Sequence, residues 1–577
     1  MNIQKIISTD IKKALINFGV SENYNLEIFK TSKMHIGDYQ SNAIMKIAKQ
    51  LKTDPYNFAK NIIKLIKKNN IYENISVSKP GFINIILNRQ WLSKILDINI
   101  HSHTLGIAPI SPETIIVDYS SPNIAKEMHI GHLRSTIIGD ATVRILEFIG
   151  HNVIRVNHIG DWGTQFGMLL AYLKVNKNFD FIKNISLKNI EKLYQKAKKK
   201  YDEDQNFAKL SRQYVVKLQS GDLYCQYLWK KMTQATINYN KTIYKKLHIT
   251  LQDKHIMGES AYNTMLPKIT EDLKNKGIAV YNQGALVVLL DKIKNRQGHP
   301  MGVIIKKKDG GYVYAIIDIA CIKYRCEILK ADKIIYYTDS RQHQYLLQIW
   351  EIARKAGYVS KHVLLEHHMF GMILSKNRHP FKTRSGNTVK LNILLNEGID
   401  KAKNILLKKN PHLSAKDTEK LSTIIGIGAI KYADLRKNRT TDYIFNWDEM
   451  LSFEGNTALY IQYAYTRIIS IMKKSNIDVT KITSKIQLIE PYEIELALHL
   501  LQFEEKILYA ANQGTPHVIC NYLYQLSGTF SKFYENCSIL FAKKTAISHS
   551  RLKLSFLTAK TIKKGLNLLG IYTMNYI

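Results

Sequence analysis

Two histidines flank a glycine in His129-Ile130-Gly131-His132, inside the stretch NIAKEMHIGHLRS. The triplet His-Ile-Gly also begins at His35 and at His158, but there an aspartate follows, Asp38 or Asp161. Imidazoles at i and i+3 share one face of a helical turn. Where a loop becomes a helix, the free N–H groups and the positive dipole end favour phosphate. Two imidazoles would add donors for the charge that grows on a pentavalent phosphorus. Gly131, with no side chain, lets a flat adenine lie against the backbone. An aspartate at 132 would repel phosphate, so Asp38 and Asp161 read as caps or turn residues and His35 as structural. The pattern His-x-Gly-His is weak alone; its place after a buried strand and at the start of a helix gives it weight.

The surrounding elements supply that place. TIIVDYS, from Thr114, is a continuous apolar run, as in a buried parallel strand. GHLRSTIIGDATVRILEFIG has helical spacing ended by Gly150, and HNVIRVN is a second buried strand. Together they make a βαβ unit. DKIIYYTD followed by RQHQYLLQIWEIARKAG repeats the strand-then-helix order. Between them, around 175–280, a Lys-rich and mainly helical stretch reads as an insertion splitting a doubly wound parallel-sheet domain. The first hundred residues form a separate α/β module, with a helix in NAIMKIAKQL and a strand in PGFINIIL. After about Lys390 nearly everything is helical. The expected division is 1–110, 111–390 and 391–577.

Composition bounds the partners. Lys plus Arg number 83 against 47 Asp plus Glu, so the formal charge is +36, which suits nucleic acid before membrane. Compositional drift in a chain rich in Lys, Asn and Ile is the other reading. The five cysteines form no Cys-x-x-Cys pair, so no structural zinc and no metal site are expected. No apolar run is long enough to span a bilayer. Scattered cysteines and a charge-broken N-terminus fit a cytoplasmic protein.

The longer stretch DYSSPNIAKEMHIGHLRSTIIGDATVRILEFIGHNVIRVNHIGDWGTQFG closely resembles class I arginyl-tRNA synthetases of the bacterial branch. DGGYVYAIIDIACIKYR, YYTDSRQHQ, FKTRSGNTVKL and ALYIQYAYTRI extend the resemblance in the same order over nearly the whole chain. The resemblance implies a Rossmann-type catalytic domain, an additional N-terminal domain at the tRNA elbow and a helical anticodon-binding domain. It implies that L-arginine and ATP, with Mg2+, form arginyl-adenylate, and that the arginyl group passes to the 2′-hydroxyl of the terminal adenosine of tRNA(Arg). Members usually need bound tRNA for the first step and are mostly monomeric.

A second class I loop, usually Lys-Met-Ser-Lys-Ser, corresponds to FKTRSG, where Ser385 takes the place of the second lysine. A cation near the transferring phosphate is worth orders of magnitude in rate. Lys126 is the expected stand-in, with Lys382 and Arg384 available in the second loop. A guanidinium needs carboxylates, because its planar fork donates hydrogen bonds in pairs. Asp118 and Asp318 match the family's acidic pocket positions, and Asn123, Tyr314 and Gln342 those that bind the ammonium and line the pocket. Tyr460 and Tyr463, one helical turn apart, and Tyr534 match positions that contact the anticodon loop, where aromatic faces stack unpaired bases. Small nucleotidyltransferases share His-x-Gly-His but lack the helical last third. A non-catalytic tRNA-binding relative would not need His129, His132, Asp118 and Asp318 together.

Overall fold

The computed structural model describes the chain except residues 1, 22, 23, 25, 32–35, 68, 177–184, 295–297, 299, 380–388 and 577. His35 and, in the second loop, Lys382, Arg384 and Ser385 lie outside the described residues. The chain folds as two compact units, 1–109 with 452–567 and 572–577, and 110–451 with 568–571.

In the first unit, four strands, β1 (Ile28–Lys30), β2 (Tyr39–Ser41), β3 (Tyr72–Ser78) and β4 (Phe82–Leu87), form an antiparallel sheet in the order β1-β2-β4-β3. The expected helix in NAIMKIAKQL spans Ala43–Gln50 and buries Ile44, Ile47 and Ala48, its i, i+3, i+4 face. The α/β module is not free-standing. Lys553 Nζ meets Asp97 Oδ1 at 2.9 Å, Lys560 Nζ donates to Ile100 O at 2.8 Å, and Gln4 N donates to Glu505 Oε1 at 3.1 Å. The first and last parts of the chain thus close one unit with the helices Ala458–Ser475, Pro491–Leu501, Phe503–Gln513, His517–Asn536 and Thr545–Leu568.

The second unit holds the βαβ pattern. Strands β5 (Thr114–Asp118) and β6 (Asn152–Val156) are joined by the helix Gly131–Ile149, which ends as expected at Gly150 with φ 111°. An antiparallel trio follows the helical insertion, β7 (Ala279–Asn282), β8 (Ala285–Lys294) and β9 (Pro300–Lys306). The chain then returns through β10 (Lys333–Tyr336) and β11 (Leu364–His367), giving an all-parallel sheet in the order β11-β10-β5-β6. Strands β5 and β10 are neighbours whose chains leave in opposite directions. In such sheets the crevice beyond the carboxyl ends at that switch point binds ligands. The two central strands have apolar middles, Ile116 and Ile334 being fully buried, as expected where both sheet faces are covered.

The helices Leu391–Lys409 and Ala415–Leu435, expected with the last part of the chain, belong to this unit. A buried ion pair carries part of the reason. Arg134, 1% exposed on the helix after β5, places Nε 3.2 Å from Asp434 Oδ2 and donates through Nη1 to Thr441 O at 2.9 Å. Lys431 on the same later helix is fully buried and donates to Leu247 O and Gly570 O at 2.7 and 2.8 Å. Burial draws its ammonium down to about 7.

Candidate active site

The loop from β5 to the helix Gly131–Ile149 carries three residues with left-handed backbone, Ser120, Ser121 and Ala125 at φ 70°, 45° and 68°. Side-chain bonds hold this strained course. Ser120 N donates to Ser135 Oγ at 3.0 Å, and Ser135 Oγ donates to Tyr337 O at 2.7 Å, so the ends of β5 and β10 are tied through the helix. The backbone at 389–391 pairs with the other side of the loop. Ile130 N donates to Val389 O at 3.0 Å and Leu391 N to Met128 O at 2.9 Å.

The two signature imidazoles lie 4.0 Å apart between centroids, at 41°. His129 Nδ1 accepts from Gly131 N at 3.1 Å, and His132 Nδ1 accepts from His129 N at 3.1 Å. A ring nitrogen that accepts from a backbone N–H carries no proton, so each neutral imidazole presents an Nε2–H donor. Burial, then the Lys126 charge, lowers His129; burial pushes His132 down to about 3, helped by His129. Both rings are neutral donors at physiological pH.

This corrects one expectation. The first N–H groups of the helix are not open to a phosphate, since Gly131 N goes to the His129 ring, His132 N to His129 O and Leu133 N to Ile130 O. The side-chain donors left open at this helix start are the Nε2–H groups of the two rings. Gly131 gains a second reason too: a Cβ there would lie 2.8 Å from His129 Cε1, where the ring folds back. Lys126 sits with Nζ 4.7 Å from the centroid of Tyr194, near enough to His129 to weigh on its charge.

Beyond the carboxyl end of β5 lies an acidic cleft. Asp318, on the helix Tyr314–Glu327, is 29% exposed at the side chain and accepts from Tyr345 Oη, with His158 Nε2 3.7 Å from its Oδ1. Burial raises its carboxyl, opposed first by His158. Asp118 is placed differently from expectation. Its Oδ2 takes Arg325 Nη2 at 2.6 Å and its Oδ1 takes Ser121 Oγ at 2.8 Å, so both oxygens already have partners within the protein. Glu259 joins the cleft instead. Its Oε2 is buried without a hydrogen-bond partner among the described residues. Burial, then Asp318 and Asp161, pushes its carboxyl up to about 8. Tyr314, 57% exposed, lies close enough to Glu259 and Asp318 to feel both. Asn123 pairs through its backbone with Gly160, and a Cβ at Gly160 would strike Asn123 Oδ1 at 2.2 Å. Gln342 closes the short turn Ser340–Gln342 that leads into the helix bearing Tyr345.

The residues present are therefore a neutral pair of imidazole donors with a lysine on the loop after β5, and a group of carboxyls, Asp318, Glu259 and Asp118, brought together from three other segments. The chain matches the model for the class I (R) tRNA synthetase catalytic domain over 94–447, the DALR anticodon binding domain over 461–577 and the arginyl tRNA synthetase N-terminal domain over 1–87. The chain belongs to the arginyl-tRNA synthetase family. It is 59% identical, over the whole of both chains, to the arginine–tRNA ligase of Buchnera aphidicola from Schizaphis graminum. The arginyl-tRNA synthetase of Plasmodium falciparum shares its fold at a TM-score of 0.86 and 32% identity, over 100% of this chain and 99% of that one. That of Thermus thermophilus matches at 0.81, with 24% identity and both chains covered in full.

For a synthetase of this family the other two triplets also find their use. Asp161 accepts from Ser260 N and Oγ at 2.9 and 2.7 Å, and Asp38 holds Leu87 N and the Arg89 fork, so both tie distant segments together where local caps or turns were expected. His158, Glu259, Arg325 and Tyr345 were missed. They come from four separate segments, and the one available signal was a charged or polar residue set in an apolar run, as Arg325 is in IACIKYRC. Tyr460, Tyr463 and Tyr534 lie in the other unit. Tyr463 and Tyr534 line a cleft of about 850 Å³, with Arg467 stacked between them at 5.3 and 5.5 Å from the two rings. Phe541, 89% exposed, stands at its edge. Tyr460 packs on Tyr524 at 5.4 Å. No described helix is long and apolar enough to cross a membrane.

Proposed function

We propose that this arginine–tRNA ligase forms its adenylate between the paired imidazoles and the acidic cleft. The observation that carries the reading is that each Nδ1 accepts a backbone N–H, His132 from His129 and His129 from Gly131, which leaves two neutral Nε2–H donors side by side. ATP enters as its Mg2+ complex, as a substrate. The arginine carboxylate attacks the α-phosphorus, the bond to the bridging oxygen of the β-phosphate breaks, and pyrophosphate leaves with the electron pair. His129 and His132 donate to the oxygens that gain charge, and Lys126 adds a cation from the same loop. Lys382 and Arg384 serve the departing phosphates, and Gly131 leaves room for adenine. In the second step the 2′-hydroxyl of the terminal adenosine of tRNA(Arg) attacks the arginyl carbonyl and AMP departs.

In this reading Asp318 and Glu259 receive the guanidinium, whose charge would ionise Glu259. Asn123, Tyr314 and Gln342 hold the ammonium end and line the pocket. Asp118 acts through its negative potential and its hold on Arg325. The Tyr463–Arg467–Tyr534 cleft, with Tyr460 beside it, takes unpaired anticodon bases. Residues 1–110 reach the tRNA elbow. The molecule works as a cytoplasmic monomer. The test is exchange of labelled pyrophosphate into ATP: it should require arginine and be accelerated by tRNA(Arg). Exchange that proceeds equally without arginine would reject the reading.

A further inference from the structure

The helical insertion has no part in the reaction just described, yet two of its helices hold the loop that carries His129. The helix Leu187–Glu203 turns Ile190, Leu193 and Ala197 inward, and Ile190 and Leu193 share one core with Phe166 and Leu170. That apolar stripe, at i, i+3 and i+7, fixes the helix against the rest of the unit. Glu191 and Tyr194, three residues apart, share a face beside it. Each meets a lysine from outside the insertion. Lys126 Nζ stands 4.7 Å from the centroid of the Tyr194 ring. Lys390 Nζ lies 2.7 Å from Glu191 Oε2.

Lys390 reaches His129 through the backbone. Residues 129 and 390 form an antiparallel bridge, flanked by the bonds from Ile130 N to Val389 O and from Leu391 N to Met128 O. The Lys390 ammonium also meets Glu127 Oε1 at 2.8 Å, and Glu127 Oε2 accepts from the hydroxyl of Tyr239, on the helix Leu223–Lys246, at 2.8 Å. An isolated ion pair with a lysine 39% exposed would contribute little. Here one ammonium is shared by two carboxylates, and a phenol completes one of them, so the arrangement is fixed from both insertion helices. Lys126 has a different need. A lysine on a free stem samples many rotamers and must lose them to meet a phosphate. A carboxylate would hold the ammonium but cancel its charge, whereas an aromatic face holds it and leaves the charge available.

We propose that the helix Leu187–Glu203 positions the adenylation site from outside it: Tyr194 aims the Lys126 ammonium, and Glu191, through Lys390, sets the backbone that carries His129. The inference rests on reading Lys126 and His129 as groups that meet the phosphate. Neither Tyr194 nor Glu191 is a catalytic residue, since each acts through another side chain. Both act on the phosphate side of the site and neither touches Asp318 or Glu259. Their loss therefore slows adenylate formation and spares arginine affinity.

The test is single-turnover adenylate formation by the full chain with tRNA(Arg) bound, at saturating ATP and arginine, with arginine affinity and the urea midpoint measured beside it. Tyr194→Leu should slow the step by roughly 3–10-fold at unchanged arginine affinity. Tyr194→Phe keeps the aromatic face and should run at the wild-type rate. Glu191→Gln is isosteric, so it spares the fold, and should slow the step by roughly 2–5-fold. Because each residue acts through a lysine, Tyr194→Leu should add nothing once Lys126 is replaced by alanine, and Glu191→Gln nothing once Lys390 is replaced by methionine. Effects that multiply in either double variant, or a Tyr194→Phe as slow as Tyr194→Leu, would overturn the proposal and leave the phosphate reading standing. So would a wild-type rate in Tyr194→Leu or in Glu191→Gln. A wild-type rate in Lys126→Ala would reject the phosphate reading of Lys126 and this inference with it.

Discussion

Replacing Gly131 with alanine should separate stability from catalysis. The position is the first helical residue and its φ is not in the left-handed region, so alanine fits the backbone. In a helix alanine is favoured over glycine by roughly 0.5–1 kcal/mol. The new Cβ would lie 2.8 Å from His129 Cε1 and 3.0 Å from its Nδ1, so the ring must swing away. The swing breaks the bond from Gly131 N to His129 Nδ1, worth about 1 kcal/mol net. The two terms nearly cancel, and the urea midpoint should move by less than about 1 kcal/mol equivalent in either direction. Catalysis has no such compensation. With its ring released, His129 no longer aims Nε2–H at the phosphate, and losing one preorganised donor typically costs on the order of 10²–10³ in rate. Single-turnover adenylate formation with tRNA present reads that loss directly, at saturating ATP. A fall of less than about threefold in a folded variant would refute the capping argument. If the fall appears only as a raised KM for ATP, Gly131 serves adenine and not His129.

The remaining expectations are as specific. Asp318→Asn should weaken arginine by about 1.5–3 kcal/mol and leave the ATP constant alone; equal shifts in both would make the residue structural. Tyr345→Phe frees one oxygen of Asp318 and should raise KM for arginine by roughly 3–10-fold with kcat held, a loss of about 0.5–1.5 kcal/mol; unchanged KM would remove Tyr345 from the pocket. His132, held down to about 3, should keep adenylate formation free of its titration at all ordinary pH. Its lowered value also means that the unfolded chain binds the proton first, so its contribution to stability is full above the ordinary 6.5 and falls as pH drops toward 3. His132→Phe should flatten that part of a urea-midpoint profile, and an unaltered slope would contradict the shift. Lys126→Ala should cripple pyrophosphate exchange and Ser385→Lys should partly restore it, because a point charge tolerates approach from either side; near-wild-type exchange in Lys126→Ala would end the idea.

What the sequence disclosed and what it hid follow the range of the forces involved. The strands β5 and β6 and the helix between them were legible because apolar runs and a terminating glycine are local signals. The proposed phosphate site was legible as residues but not as geometry. Nothing in the string His-Ile-Gly-His says that each Nδ1 accepts a hydrogen bond from a backbone N–H, which leaves the open donors on the rings and not at the helix end. Asp118 was recognised, but its partner Arg325 lies 207 residues away and turns a candidate ligand into a paired charge. The same holds for the units. The contact of Asp97 with Lys553 spans 456 residues, so a module that looks separate in sequence folds with the far end of the chain.

The charge distribution joins these observations. A formal charge of +36 draws polyanions, and its reach in solution is about 8 Å at physiological ionic strength. That field repels arginine, itself a cation. Arginine must therefore be recognised at short range, in a partly buried cleft where carboxylates act through a low dielectric. Asp318, Glu259, Asp161 and Asp118 supply such a cleft inside a basic protein, and the desolvation that raises Asp318, Glu259 and Asp161 measures how poorly those carboxylates tolerate the empty state. In the proposed reading, carboxyls that burial pushes towards their protonated forms favour the one amino acid that brings a planar, permanent cation. Length and apolar contact alone would discriminate among long side chains by only about 1–3 kcal/mol per methylene. In the proposed reading, selection of arginine rests on the guanidinium relieving the desolvation of these carboxyls.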